Sequence, residues 1–386
     1  MTGEAYDHLM ALVVFGVIFT AAVFIVPSLS YVNLLYLEQQ QLQNVALSAM
    51  KTILFDEGYP SNWGSMHGIG MFNESDVQRF GLDQIGDPTL YVLDPNKVQR
   101  LAFNPMGSIS YSRVRDLLGL TGYDFDIVLR PQFDVDADVT ISSDRKTIGF
   151  NVNVSRYGGQ PIPNAIVYAT IYYALKTSGD AYGNGAVNVQ NRTDSLGRCT
   201  GTQSISAPPG SEITDVAVIF RVTVADRATM VISKQSRPNP DDAAKISLVG
   251  DSIIATIDEA LPGSKDARWI CSVAMYNFET SIDLYNRNAP PWGDADLQWG
   301  DNMWNMTIPG LSFTEPSVLI FTIRTVPESG GGRTLVLLIG PYTMWSQGGV
   351  IAINPRPTSS GASVSIQRDV IIAGMAYIAE LRLWKA

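Results

Sequence analysis

The chain has 386 residues, 46% of them hydrophobic and only 17% charged, with 33 Gly, 21 Pro and a formal net charge of −10. An acidic balance with no Lys/Arg cluster repels phosphate backbones and excludes nucleic acid as a partner. The length predicts two or three units of about 100 to 150 residues, and the Gly and Pro content predicts a β-rich body with many turns. Cys199 and Cys271 stand far apart, as candidates for one disulfide in an oxidising compartment or for two buried thiols.

The first predicted element is a helix. Leu9 to Val26 carries no charge and is interrupted only by Gly16 and Thr20; at about 1.5 Å per residue it would be roughly 27 Å long, the thickness of a bilayer's hydrocarbon layer. The flank MTGEAYDH holds Glu4 and Asp7 but no Lys or Arg, which argues against a cleaved secretion signal. Pro27 removes a backbone donor and is expected to kink the rod. Beyond it Leu35, Leu42, Val45, Ala46, Ala49, Ile53 and Leu54 recur at helical spacings among Glu38, Gln39, Gln40, Gln41 and Lys51, the signature of an amphipathic helix. Asp56-Glu57-Gly58 and Pro60 end it. Residues 1–57 are thus read as a hydrophobic and then amphipathic helix, serving either as a membrane anchor or as a rod that packs against copies of itself.

Residues 58–131 read as a small α/β module. Asp94 before Pro95 starts a short helix, Ser110 to Leu118 forms a second one ended by Gly119, and YDFDIVLRP alternates as a half-buried strand. Residues 132–240 carry several short strands with turn signals between them, the pattern of a β-sandwich. SRPNPDDAAK (236–245) breaks the strands and opens a second β-rich domain, 241–386, in which SVLIFTIRTV and RTLVLLIGPY flank PESGGG as a hairpin. DVIIAGMAYIAELRLW is too short and, with Glu380 and Arg382, too charged to span a membrane. It is expected to pair with 120–131, which makes the sandwich an insertion.

This layout of polar leader, apolar half-helix, proline, amphipathic half-helix and β-rich head resembles the archaeal type IV pilin-like surface proteins. So do LFDEGYPSNWG, YVLDPNKVQRLAF and YSRVRDLLGLTGYDFDIVL, over roughly residues 1–130. GGQPIPNAIV followed by TDSLGRC resembles the Ig-like repeats of prokaryotic surface proteins. The resemblance implies an α+β fold, with a long N-terminal hydrophobic and amphipathic helix followed by a β-rich head containing an Ig-like β-sandwich. It implies an assembly helix whose Leu9, Leu12, Val13, Phe15, Val17, Ile18, Phe19, Val23, Phe24, Val26, Pro27, Leu35 and Leu42 lie against neighbouring subunits. Gly3 is the candidate processing site, although Met1-Thr2 stands where the family has a basic residue. Glu4 or Asp7 would pair with a neighbour's N-terminal amine and fix axial register, because an unpaired buried charge is costly.

Catalytic chemistry has little to draw on. His8 and His67 are the only histidines, too few for a two-His metal site and poorly placed for a Ser/His/Asp arrangement, and no P-loop occurs. Asp134, Asp136 and Asp138 alternate on a predicted strand and share one side, either a solvated face or a calcium site. WGDADLQWGDNMWNMT offers Asp294, Asp296 and Asp301 as calcium ligands and Trp292, Trp299 and Trp304 as glycan contacts, or else a polar loop whose aromatics cover the core. Asp294 or Asp301 as a hydrolase carboxylate is a weaker alternative. Asn73, Asn153, Asn191 and Asn305 head Asn-x-Ser/Thr sequons.

The expectation is a non-enzymatic structural subunit of an extracellular type IV pilus-like filament. Its partners are itself, as a helical homopolymer, and the membrane before assembly, with no cofactor other than calcium. The alternative is a membrane-anchored surface protein with a glycan-binding or adhesive head.

Overall fold

The computed structural model describes residues 2–66, 72–86, 91–101, 107–176, 182–206, 209–234, 244–249, 252–257, 269–276, 281–286, 303–307, 318–325, 334–340, 350–353 and 362–386. Within the first helix the side chains described are those of residues 6–20, 23 and 36 onward.

The helix α1 (Thr2–Phe55) runs unbroken past Pro27. Only its second half is packed. Leu42, Ala46, Ala49, Met50, Ile53 and Leu54, spaced at four, three, one, three and one, form one stripe buried in the main core. After α1 come the strand β1 (Val92–Leu93) and two short helices, α2 (Pro95–Gln99) and α3 (Tyr111–Leu117). Each short helix is capped by its own side chain: Asp94 Oδ1 accepts from Asn96 N at 2.8 Å, and Ser110 Oγ accepts from Arg113 N at 3.2 Å. Trp63 anchors this module, fully buried against Phe80 and Phe72, with Nε1 donating to the Gly81 carbonyl at 3.0 Å.

Strands make up the rest. β2 (Tyr123–Pro131) leads into β3 (Phe133–Ile141), β4 (Thr147–Arg156), β5 (Ile166–Lys176), β6 (Tyr182–Arg192), β7 (Arg198–Ser204), β8 (Glu212–Val224) and β9 (Arg227–Lys234). β3, β4 and β7 form one sheet and β6, β5, β8 and β9 a second. The two enclose a core containing Val135, Val152, Val154, Ile171, Val218 and Phe220, with the Phe150 and Phe220 rings 5.5 Å apart. Next come β10 (Ala244–Val249), β11 (Ser252–Ile257), β12 (Trp269–Tyr276), β13 (Ser281–Asn286), β14 (Met303–Thr307), β15 (Val318–Thr325) and β16 (Thr334–Gly340). They make sheets of order β10-β11-β14 and β13-β12-β15-β16. β15 and β16 are antiparallel neighbours, Phe321 opposite Leu338.

β17 (Ile351–Ile353), β18 (Ser363–Ile372) and β19 (Met375–Lys385) return to the stem. The main sheet has the order β1-β18-β19-β2-β17, with β1 parallel to β18 and the other pairs antiparallel. β18 and β19 join through Ala373 and Gly374, both at positive φ (47° and 76°), the two-residue turn whose twist matches a hairpin. β19 lies along β2 with Leu381 opposite Ile127 and Leu383 opposite Phe125, so the sandwich is inserted between adjacent strands. α1 packs on β18 and β19, and Lys385 Nζ meets Glu38 Oε1 at 2.7 Å.

The sandwich has a second packed face. Tyr172, Ala174, Ala217, Ile219 and Met230 belong to the main core together with Val318, Ile320 and Leu337. Asp215, fully buried at the start of the apolar run of β8, joins the two regions: its Oδ1 accepts from Val216 N at 2.8 Å and its Oδ2 from Leu337 N at 2.7 Å.

One expectation is corrected. The α+β class, built around a long N-terminal hydrophobic and amphipathic helix, gives way to a mostly β protein: the described residues form nineteen strands against three α-helices. The helices after α1 have only five and seven residues, and the amphipathic half of α1 serves as a cover for a β-sheet. Among the described residues no helix is long and apolar enough to cross a membrane. Of the two alternatives left open for the cysteines, Cys199 is a free thiol, buried in the sandwich, where burial pushes its pKa up; the Cys271 side chain lies outside the described residues.

Candidate assembly surface

In the first half of α1 every described side chain, residues 6–20 and 23, is exposed. Tyr6, Leu9, Leu12, Val13, Phe15, Val17, Ile18, Phe19 and Val23 are each at least half exposed, from 50% at Val23 to 77% at Tyr6. A helix turns about 100° per residue, so the consecutive Val13, Val14 and Phe15 and then Val17, Ile18 and Phe19 point in every direction. This is an apolar cylinder rather than a stripe. Phe15 and Phe19 stack at 6.2 Å. The Thr20 hydroxyl is satisfied without water, Oγ1 donating to the Gly16 carbonyl at 2.7 Å. At Gly16 a Cβ would meet nothing within 4 Å, so the chain itself leaves that gap open.

The cylinder has defined ends. No Asp, Glu, Lys or Arg occurs between Asp7 and Glu38. Asp7 and His8 are exposed at one end; at the other, Tyr36 and Leu37 are exposed, Tyr36 OH accepts from Gln40 Nε2 at 2.8 Å, and Glu38 is held by Lys385. Gly3 lies in the first turn of α1, and the Glu4, Phe24, Val26, Pro27 and Leu35 side chains lie outside the described residues. Leu42, expected on the assembly face, is only 2% exposed and belongs to the chain's own core, which corrects that assignment.

The other expected sites are not gathered together. Asp134, Asp136 and Asp138 share the exposed side of β3, opposite Ser155, Asn153 and Asn151. No group of three or more His, Cys, Asp or Glu able to hold a metal occurs among the described residues. His67, Trp292, Asp294, Asp296, Trp299 and Asp301 lie outside them; Trp304 is placed on β14 opposite Ala255, its side chain undescribed.

Features that composition and spacing did not expose are the buried charges. Arg100 is fully buried, its Nε donating to the Gly64 carbonyl and Nη1 to the Gly107 carbonyl, both at 3.0 Å, with its guanidinium carbon 4.5 Å from the centre of the Phe72 ring. Glu380, 3% exposed, accepts from Arg382 Nε at 2.7 Å and Ser365 Oγ at 2.9 Å and faces Arg130 at 3.5 Å. A cleft of about 310 Å³ opens between the β8–β9 turn and the β18–β19 hairpin, lined by Tyr91, Gln132, Arg227, Asp369 and Tyr377 and crossed by the 2.9 Å Arg227–Asp369 ion pair. A lone acid before an apolar run, as at Asp215, is the one signal that marks such a group in sequence.

No protein-family model matches this chain, and no curated protein does. Solved structures with remote similarity include a 1.5-MDa bacterial ice-binding adhesin, described for its retention at a host cell surface (11% identity, TM-score 0.17, covering 55% of this chain and 64% of that one). They also include Escherichia coli alpha-2-macroglobulin activated by porcine elastase (12%, 0.20, 62% and 23%) and red sea bream transglutaminase (7%, 0.16, 54% and 31%). The chain spans less than two thirds of each, and at these scores the likeness carries no functional argument.

Proposed function

We propose that this chain is a non-enzymatic structural subunit of an extracellular pilus-like filament, assembled side by side through the apolar half of α1 with the β-rich body outside. The supporting observation is the exposed cylinder from Tyr6 to Val23. Soluble monomers rarely leave apolar patches of more than a few hundred Å² in water. Burying a large apolar side chain contributes about 1.5–3 kcal/mol, so roughly ten of them outweigh an association cost of about 4–15 kcal/mol. Before assembly the membrane would shelter the same side chains, since lipid tails are as apolar as Leu. Asp7, at the cylinder's end, then sets register by seeking a neighbour's cation, the N-terminal amine of the next subunit.

Electron microscopy of material sheared from the cell surface, with N-terminal sequencing of this chain in that fraction, tests the reading. Filaments containing an intact α1 are expected, with a mature N-terminus near Gly3. Recovery only as dispersed membrane particles would overturn it in favour of an anchored protein with an adhesive head.

A further inference from the structure

Of the four sequons, those of Asn73 and Asn153 end in Ser and those of Asn191 and Asn305 in Thr, and the fold separates them. Asn191 donates through Nδ2 to the Thr200 carbonyl at 3.3 Å, and its partner hydroxyl is consumed: Thr193 is 3% exposed, Oγ1 donating to the Ile162 carbonyl and accepting from Ala165 N, both at 2.8 Å. Asn153 lies within β4, which pairs with β3 on one side and β7 on the other, facing Asp136 and Arg198. Its sequon is fixed in extended form, so bringing the Ser155 hydroxyl to the Asn153 amide would break two ladders. Asn305 is a strand residue of β14, paired opposite Ile254.

Asn73 differs in each respect. It is exposed, in the turn that opens a single 3-10 turn (Glu74–Asp76), outside any ladder. Its Oδ1 accepts from both Ser75 N at 3.2 Å and Ser75 Oγ at 2.8 Å, so the sequon's hydroxyl already rests on the amide and Nδ2 is left without a partner among the described residues. The turn is held from behind, where Glu74 Oε2 accepts from Ser110 N at 2.7 Å and Arg113 Nε donates to the Glu74 carbonyl at 3.3 Å.

We propose that Asn73 is the N-glycosylation site of this protein among Asn73, Asn153 and Asn191, the three sequons whose side chains are described. The co-reactant is a glycan carried on a lipid phosphate. Asn73 Nδ2 forms the bond to the anomeric carbon, the bond from that carbon to the phosphate oxygen breaks, the lipid phosphate leaves with the electron pair, and the amide proton passes to a base of the transferase. The inference rests on the proposed surface location, because only an exported chain meets such a donor.

The test is glycopeptide mass spectrometry of the full chain recovered from its native cell surface, beside N73Q, S75A, S75T and N153Q. The wild-type peptide containing Asn73 is expected to carry a glycan. N73Q and S75A lose it, while S75T and N153Q keep it, and since S75A retains the asparagine, its loss identifies the hydroxyl's role. An unmodified Asn73, or a glycan at Asn153 or Asn191 instead, overturns the proposal. Microscopy of the same preparation keeps the two readings apart. A glycosylated Asn73 on dispersed particles would sink the filament alone, and filaments with a bare Asn73 would sink the glycan site alone.

Discussion

Arg100 holds two loops by their carbonyls, and burial pulls its pKa down to about 10, which leaves it charged at neutral pH. Replacing it with Met keeps the volume but orphans the carbonyls of Gly64 and Gly107. Two hydrogen bonds to a charged donor are worth about 1.5–3 kcal/mol each, so urea denaturation should register a loss of about 3–6 kcal/mol. Glu380 adds a pH dependence. Burial works to raise its pKa, but hydrogen bonds from Arg382 and Ser365 and the charges of Arg382 and Arg130 outweigh this and hold it below the usual glutamate range. A carboxyl depressed in the folded state contributes stability above its unfolded pKa and loses it as pH falls through the folded value. Acid unfolding of Glu380→Gln should therefore be shallower than that of the wild type, in the window just below the ordinary glutamate pKa. Asp126, opposite Arg382, is raised chiefly by burial and also by the Glu380 charge, so it responds to the substitution too and the difference reports on the Glu380–Arg382–Asp126 group as a whole. None of this could be read from spacing, because a buried charge in sequence looks like any surface one.

α1 is one element with two environments. The spacing of Leu42, Ala46, Ala49, Ile53 and Leu54 announced a packed stripe, and the structure adds what covers it: β18 and β19, more than three hundred residues later in the chain. Ile53→Ala should cost about 2–5 kcal/mol in thermal or denaturant unfolding, as large-to-small changes in a filled core do. Leu12→Glu, on the exposed half, should leave that unfolding within about 0.5 kcal/mol of wild type. It should also abolish sedimentable assemblies in ultracentrifugation, since each copy would bring an unpaired charge into the interface. Unchanged sedimentation would show that the apolar cylinder is not the contact.

At the scale of the whole molecule, the sandwich is inserted between β2 and the return strands, and it is apolar on two faces, one turned to its own core and the other to the main core. Excised as residues 132–234, it would expose Tyr172, Ala217, Ile219 and Met230 and leave Asp215 without the Leu337 amide. The isolated fragment should therefore aggregate, and Ile219→Thr should shift it towards monomer in light scattering, because one sheet face would no longer present a continuous apolar patch.

By itself the sequence determined the local character of nearly every segment: the uncharged stretch between Asp7 and Glu38, the amphipathic stripe after Leu35, the caps at Asp94 and Ser110, and the alternation of Asp134, Asp136 and Asp138 on one side of a strand. These depend on periodicity and on hydrogen bonds between near neighbours, which adjacent residues fix. Tertiary structure decided what lies far apart in sequence: that Leu42 is core, that Cys199 is a free buried thiol, that Asp215 ties β8 to β16, and that three sequons with described side chains are physically unequal. Each of those depends on which surface meets which, and a pattern of apolar residues records that a face is buried without recording its partner.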